Sequence, residues 1–244
     1  MSGLFHEILY RPLFNALIFL YNTIAFGDLG VAIILLTIVI RLVLYPLFWK
    51  SYKNQMLMQR IQPAIKKIQH DHKHNRERQA QALLELYKQH KVNPFSGFFL
   101  ILIQLPVLIA LYRVFLSDFS EAITANLYSF LNPPEALKSD FLGLINLGAS
   151  NIIIVGLAAV AQYFQARLSL PKPTAGGESS PAERIGKQMV FIGPLLTLVF
   201  LYSLPAAIGL YWLTTAVFSV VQQALIIRSL KENGTVSDPS QKTA

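Results

Sequence analysis

The sequence contains no cysteine among its 244 residues. That absence excludes disulfides and thiolate metal sites, and it leaves no thiol to carry a lipid. Charge is also scarce: 14% of residues are charged, against about a quarter in a soluble globule. Acids are scarcest, with 13 Asp and Glu facing 21 Lys and Arg, and none of the 13 falls within a long apolar run. A proton-coupled transporter places Asp, Glu or His inside its spans, and this chain places none there. No P-loop or dinucleotide fingerprint occurs. Neither nucleotide-driven nor proton-coupled transport is expected.

What is present is apolar and unevenly spread. Hydrophobic residues make up 53% of the chain and the mean hydropathy is +0.45. Long apolar runs alternate with dense polar ones, which predicts an all-α polytopic membrane protein. The net charge of +8 fits the positive-inside rule better than it fits nucleic acid.

The organising stretch is LGVAIILLTIVIRLVLYPLFW at 29–49, which carries Arg41. About 20 such residues cross a hydrocarbon core of roughly 30 Å. Arg41 lies roughly 12 Å from the basic end of that helix, and a charge at such depth costs on the order of 2.5–3.5 kcal/mol. No acid sits at its level to offset that cost. The guanidinium is therefore expected to be hydrated or kept for a transient anion.

Taken in order, residues 1–27 read as an N-terminal interfacial amphipathic helix against the outer leaflet, with an extra span as the rival. They lack the leading basic region and cleavage site of a signal peptide. Residues 28–50 form the first span and 51–93 a basic cytoplasmic helical hairpin whose tip is HDHKHNR. Spans two to five cover 94–117, 150–168, 187–204 and 207–228. An outer connection at 118–149, a flexible cytoplasmic loop at 169–186 and a disordered cytoplasmic tail at 229–244 complete the chain. Seventeen of the 21 basic residues fall in the hairpin, that loop and the tail or at the span ends next to them (Lys50, Arg167, Lys187 and Arg228), so that side is expected to be cytoplasmic.

Polar residues inside the spans converge by depth and face. Thr37, Arg41 and Tyr45 share a face at i, i+4 spacing. Asn151, Gln162 and Gln165 share one in the third span. Trp212, Thr215, Ser219 and Gln222 form a stripe in the fifth. Gln104 and Thr197 add single groups in spans two and four. Together they predict a wet, positively charged cavity enclosed by five helices. Each polar group alone also suits interhelical hydrogen bonding, and Trp212 suits an interfacial belt. The tip histidines His70, His72 and His74 read as a solvated turn rather than a metal site.

Six stretches, in order along the whole chain, resemble the YidC/Oxa family of membrane protein insertases. They are ILYRPLFNALIFLYNTI at 8–24, DLGVAIILLTIVIRLVLYPL at 28–47, IQPAIKKIQ at 61–69, LYKQHKVNPFSG at 86–97, QLPVLIALYRVF at 104–115 and GLYWLTTAVFSVVQQ at 209–223. The resemblance implies five transmembrane helices around a hydrophilic groove, open to cytoplasm and lipid and closed outward. Arg41 matches the groove arginine and Trp212 the fifth-span tryptophan, while Gln162 is assigned by depth. A substrate-binding groove of Arg41, Thr37, Gln104, Gln162, Trp212, Thr215 and Ser219 follows, with no enzymatic activity and no cofactor or metal.

The expected place is the bacterial cytoplasmic membrane. The expected partners are nascent membrane protein clients, the lipid bilayer, a Sec translocon, and a ribosome or signal-recognition receptor at the hairpin. The form resembled is the short one, without the large extracytoplasmic domain or the long basic tail, so ribosome contact falls to the hairpin. A small channel or solute carrier with an anion-attracting cavity, or a passive assembly scaffold, would suit the same polar pattern.

Overall fold

A computed structural model describes residues 3–116, 119–134, 137–170 and 181–232. Its elements are helices apart from one two-stranded antiparallel ribbon, β1 (Asp140–Phe141) with β2 (Ile145–Asn146). The all-helical expectation holds at that level.

The chain begins with α1 (Gly3–Phe5), one π-helical turn (His6–Tyr10) and α2 (Arg11–Thr23). In α2 the apolar face at Phe14, Leu17, Ile18 and Tyr21 is buried in the main core, packed with α3 (Leu29–Val43). The helix read as lying against a leaflet thus spends that face on the bundle itself. Its two asparagines explain why an apolar helix carries them. The Asn15 amide donates to the Asn126 carbonyl at 2.9 Å and its oxygen accepts from the Tyr128 amide at 2.7 Å. Asn22 donates to the Asn132 carbonyl at 2.8 Å. Both fasten the connection that follows α7 (Ser96–Leu116), which folds into α8 (Phe119–Asn126) before the ribbon. At the start of α2, a hydrogen bond from Arg11, then one from His6, holds the exposed Glu7 carboxyl below its ordinary value.

Between α2 and α3 the chain reverses through Phe26 and Gly27, both at positive φ. Asp28 then caps α3, accepting from Val31 N at 2.9 Å, while its other oxygen accepts from Leu142 N at 2.6 Å. One carboxylate thus satisfies a helix end and holds the ribbon's turn. The backbone at Gly30 lies so close to the Phe141 ring that any Cβ there would overlap it. Asp28→Ala is expected to cost about 1 kcal/mol for the lost cap and somewhat more for the freed turn. Thermal unfolding in detergent checks the first effect, and faster amide exchange confined to 140–146 checks the second.

The stretch expected to run as one helix to Trp49 does not. It breaks at Leu44 and bends by 67° into α4 (Tyr45–Arg60) and α5 (Gln62–Asp71). Pro46 is the cause: its ring clashes with the carbonyl four residues back, and it disfavours helical geometry at the residue before it. Arg41 therefore sits in the last turn of α3, where a cation also meets the negative end of the helix dipole.

α5 and α6 (Arg76–Gln89) form the expected hairpin around Ile61, Ile65, Leu86 and Val92, and burial pushes the Tyr87 phenol up. Its root is tied to α7: the Asn54 amide donates to Asn93 O and Ser96 Oγ at 2.6 Å, and Ser51 donates to Ser96 O at 2.7 Å.

The remaining helices are α9 (Ile152–Leu168), α10 (Pro181–Tyr202) and α11 (Ala206–Glu232). Asn151, placed by sequence on the cavity face, instead caps α9 by accepting from Ile153 and Ile154 N. α10 starts six residues ahead of the expected 187, with Pro181 at its first position. α11 runs past the expected 228, burying Leu230 against α4. The loop at 171–180 and the tail from 233 lie outside the described residues. At the start of α11, two orphan amides are met by the preceding connection: Ala206 N donates to Ala149 O at 2.8 Å and Ala207 N to Leu147 O at 3.0 Å.

Among the described residues, Ala206–Leu230 alone is long and apolar enough to cross a membrane, and the bent pair Leu29–Val43 with Tyr45–Asp71 passes as a second. Leu102–Phe115, Ile152–Leu168 and Gln188–Tyr202 are shorter apolar helices.

Candidate functional site

α3, α4, α7, α9 and α11 surround a cavity of about 350 Å³. Its polar lining is Arg41, Tyr52, Gln104, Gln162, Gln165, Ser169, Trp212 and Thr215, and its apolar lining includes Phe48, Leu105, Leu108, Ala166 and Ala216. Five residues of the predicted groove therefore share one space: Arg41, Gln104, Gln162, Trp212 and Thr215.

Two predicted members do not line it. Ser219 is fully buried and its hydroxyl donates back to the Thr215 carbonyl at 2.8 Å. Thr37 is buried with its hydroxyl on Ile33 O at 2.7 Å. Thr37 touches only a side chamber of about 10 Å³ that it shares with Arg41, Gln104, Tyr211 and Thr215. That is room for about one water. Such back-bonding is how a hydroxyl satisfies itself within its own helix, and facing alone does not reveal it.

Arg41 is only 4% exposed. Its guanidinium carbon lies 4.3 Å from the centroid of the Phe48 ring, a cation–π contact made possible by the bend at Leu44. The neighbour expected by spacing, Tyr45, instead packs on Trp49. Among the described residues no carboxylate pairs with Arg41, and its Nη1 has no hydrogen-bond partner within the protein. A buried guanidinium nitrogen left without a partner costs more than an ordinary unsatisfied donor, so water or a visiting acceptor must meet it.

The other polar groups are joined in pairs across helices. The Gln162 Oε1 accepts from Trp212 Nε1 at 2.9 Å and from the Thr197 hydroxyl, bringing α9, α10 and α11 together at one level. The Gln104 amide of α7 donates to the Tyr211 hydroxyl of α11. At the end nearer α4, Gln59 donates to Ser169 O at 2.6 Å and Ser169 donates to Gln223 Oε1 at 3.3 Å. Tyr211, Tyr52, Phe48 and Ser169 were not foreseen. Tyr211 precedes Thr215 by one turn on the same helix, and Phe48 and Tyr52 follow one another at i, i+4 beyond the proline. Those spacings were the available signals.

The cavity thus combines one buried cation, hydroxyl and amide groups on several walls, and a largely apolar remainder. Residues 19–233 match the family model described as the 60Kd inner membrane protein. The chain belongs to the 60Kd inner membrane protein family. Its relatives in the family carry insertase names. The membrane protein insertase YidC of Actinobacillus pleuropneumoniae serotype 3 (strain JL03) is 33% identical over 226 residues, covering 92% of this chain and 37% of that protein. The protein of the same name in Fusobacterium nucleatum is 31% identical over 222 residues, covering 90% of this chain and 97% of that protein. The membrane protein insertase MisCB of Bacillus subtilis (strain 168) is 31% identical over 237 residues, covering 92% and 80%. The chain thus spans little more than a third of the Actinobacillus relative and nearly all of the Fusobacterium one. The family resemblance read from the six stretches holds.

Proposed function

We propose that this protein is a membrane protein insertase and folding chaperone, and that client tails pass through the Arg41 cavity. The observation that carries the reading is a buried guanidinium with a free nitrogen, facing a cavity lined by amides and hydroxyls, in a chain whose relatives are named insertases. A client's short polar tail must cross hydrocarbon in which every unsatisfied polar group costs several kcal/mol. A polar cavity reaching partway through shortens that path. Arg41 offers a transient partner to acids in the tail, Gln104 and Thr215 keep water there, and Gln162 sets the Trp212 wall. The client's apolar helix entering lipid drives the step, each Leu or Ile favouring it by about 0.3–0.6 kcal/mol at the centre.

In this reading five spans cross the bacterial cytoplasmic membrane with the C-terminus inside. The shorter apolar helices are met by local thinning of the bilayer. The basic hairpin receives clients, and it contacts a ribosome or signal-recognition receptor and, where present, a Sec translocon. Purified protein in vesicles tests the function. Insertion of a single-span client with a short tail, without leakage of small anions, is expected. Anion flux without insertion would point to a channel or carrier instead.

A further inference from the structure

On the side of α9 turned away from Arg41 lies a second hollow of about 480 Å³, lined by Gly156, Ala159, Val160, Tyr163 and Phe164 of α9 with Pro194 and Leu198 of α10. It is wholly apolar among the described residues, and it is an open trough rather than an enclosed pocket. Gly156 forms part of its floor, and a Cβ added there would meet nothing within 4 Å. Glycine and proline at facing positions create the hollow by withholding side-chain volume.

The hollow has one charged neighbour. Tyr163 sits on its wall, with its ring 5.7 Å from that of Phe191 on α10. Its hydroxyl accepts from Arg167 Nη1 at 3.2 Å, which draws the guanidinium to the end of the hollow. Arg167 is exposed, and among the described residues no carboxylate pairs with it. Its remaining N–H groups form the planar fork that suits a phosphate.

We propose that this hollow holds one acyl chain of an anionic phospholipid whose headgroup phosphate is bound by Arg167. An acyl chain gains little by exchanging one hydrocarbon surrounding for another, so selection among lipids comes from the headgroup. The cation at the mouth favours an anionic lipid, and the apolar trough fixes where its chain lies. The site is separate from the Arg41 cavity and does not rest on the insertase reading.

The test is native mass spectrometry of the full chain, purified in detergent and titrated with phosphatidylglycerol or phosphatidylcholine. Wild type is expected to retain phosphatidylglycerol over phosphatidylcholine by about fivefold. Arg167→Gln should abolish that preference and Arg167→Lys should keep most of it. Gly156→Leu, which fills open space, should lower retention of both lipids while thermal unfolding stays near wild type. If Gly156→Leu fails to fold, Val160→Phe fills the same trough from an exposed position and is expected to have the same effect. Equal retention of the two lipids by wild type, a preference that survives Arg167→Gln, or retention unchanged by filling the trough would each overturn the proposal.

Discussion

Arg41→Ala is expected to lower insertion of clients with acidic translocated tails by at least about tenfold, equivalent to about 1.4 kcal/mol of lost stabilisation in the limiting step. Clients with neutral tails should be affected much less. The reason is the placement of the guanidinium. A cation beside a partly hydrated cavity attracts a carboxylate at 4 Å by up to about 4 kcal/mol at the effective dielectric of such a site. Part of that attraction is repaid in desolvation, so a tenfold change is the conservative expectation. Arg41→Lys should retain most of the activity if attraction alone matters. It should lose more if the contact with Phe48 positions the charge, because an ammonium lacks the guanidinium's planar shape and fixed fork of donors. Insertion into vesicles, scored by protease protection of the tail across a series of tail charges, measures both variants.

Gln162→Leu is expected to have the largest effect on stability among single changes around the cavity. One oxygen, Gln162 Oε1, accepts from Trp212 on α11 and from Thr197 on α10. Leucine keeps roughly the volume but removes the acceptor, leaving two part-buried donors unpaired. Unpaired donors in a soluble core cost about 1–3 kcal/mol each. Hydrogen bonds between membrane helices are worth less, about 0.6 and up to 1.7 kcal/mol, so a total loss of about 1–3 kcal/mol is expected. Gln162→Glu keeps an acceptor and should lose less. Thermal unfolding in matched detergent ranks the two. Equal losses would mean that the side chain matters by shape rather than by accepting hydrogen bonds.

The sequence carried the identities at the cavity better than their geometry. Arg41, Gln104, Gln162, Trp212 and Thr215 were found because a polar residue in an apolar run is rare and depth can be counted along a helix. Thr37 and Ser219 share those faces but turn their hydroxyls to their own backbones, a local choice that periodicity does not encode. Phe48 and Tyr52 were hidden by Pro46, since a continuous helix would have pointed Tyr45 at the cation and the bend substitutes Phe48. The partners of the N-terminal helix were illegible for another reason. Asn15 and Asn22 look interfacial until their partners at 126, 128 and 132, more than a hundred residues away, are in place. The hairpin needed no distant partner: Ile61, Ile65, Leu86 and Val92 meet locally.

The absence of native cysteine makes the decisive measurement direct. Single cysteines are placed at Ala166, which lines the Arg41 cavity, and at Val221, which is exposed on the outer side of α11. Each is tested for disulfide formation with a cysteine in the tail of a client stalled during synthesis. The account predicts crosslinks at Ala166 that weaken in the Arg41→Ala background and fade once the client is released, with none of that dependence at Val221. Tail crosslinks confined to Val221, or crosslinks at Ala166 indifferent to Arg41, would contradict it.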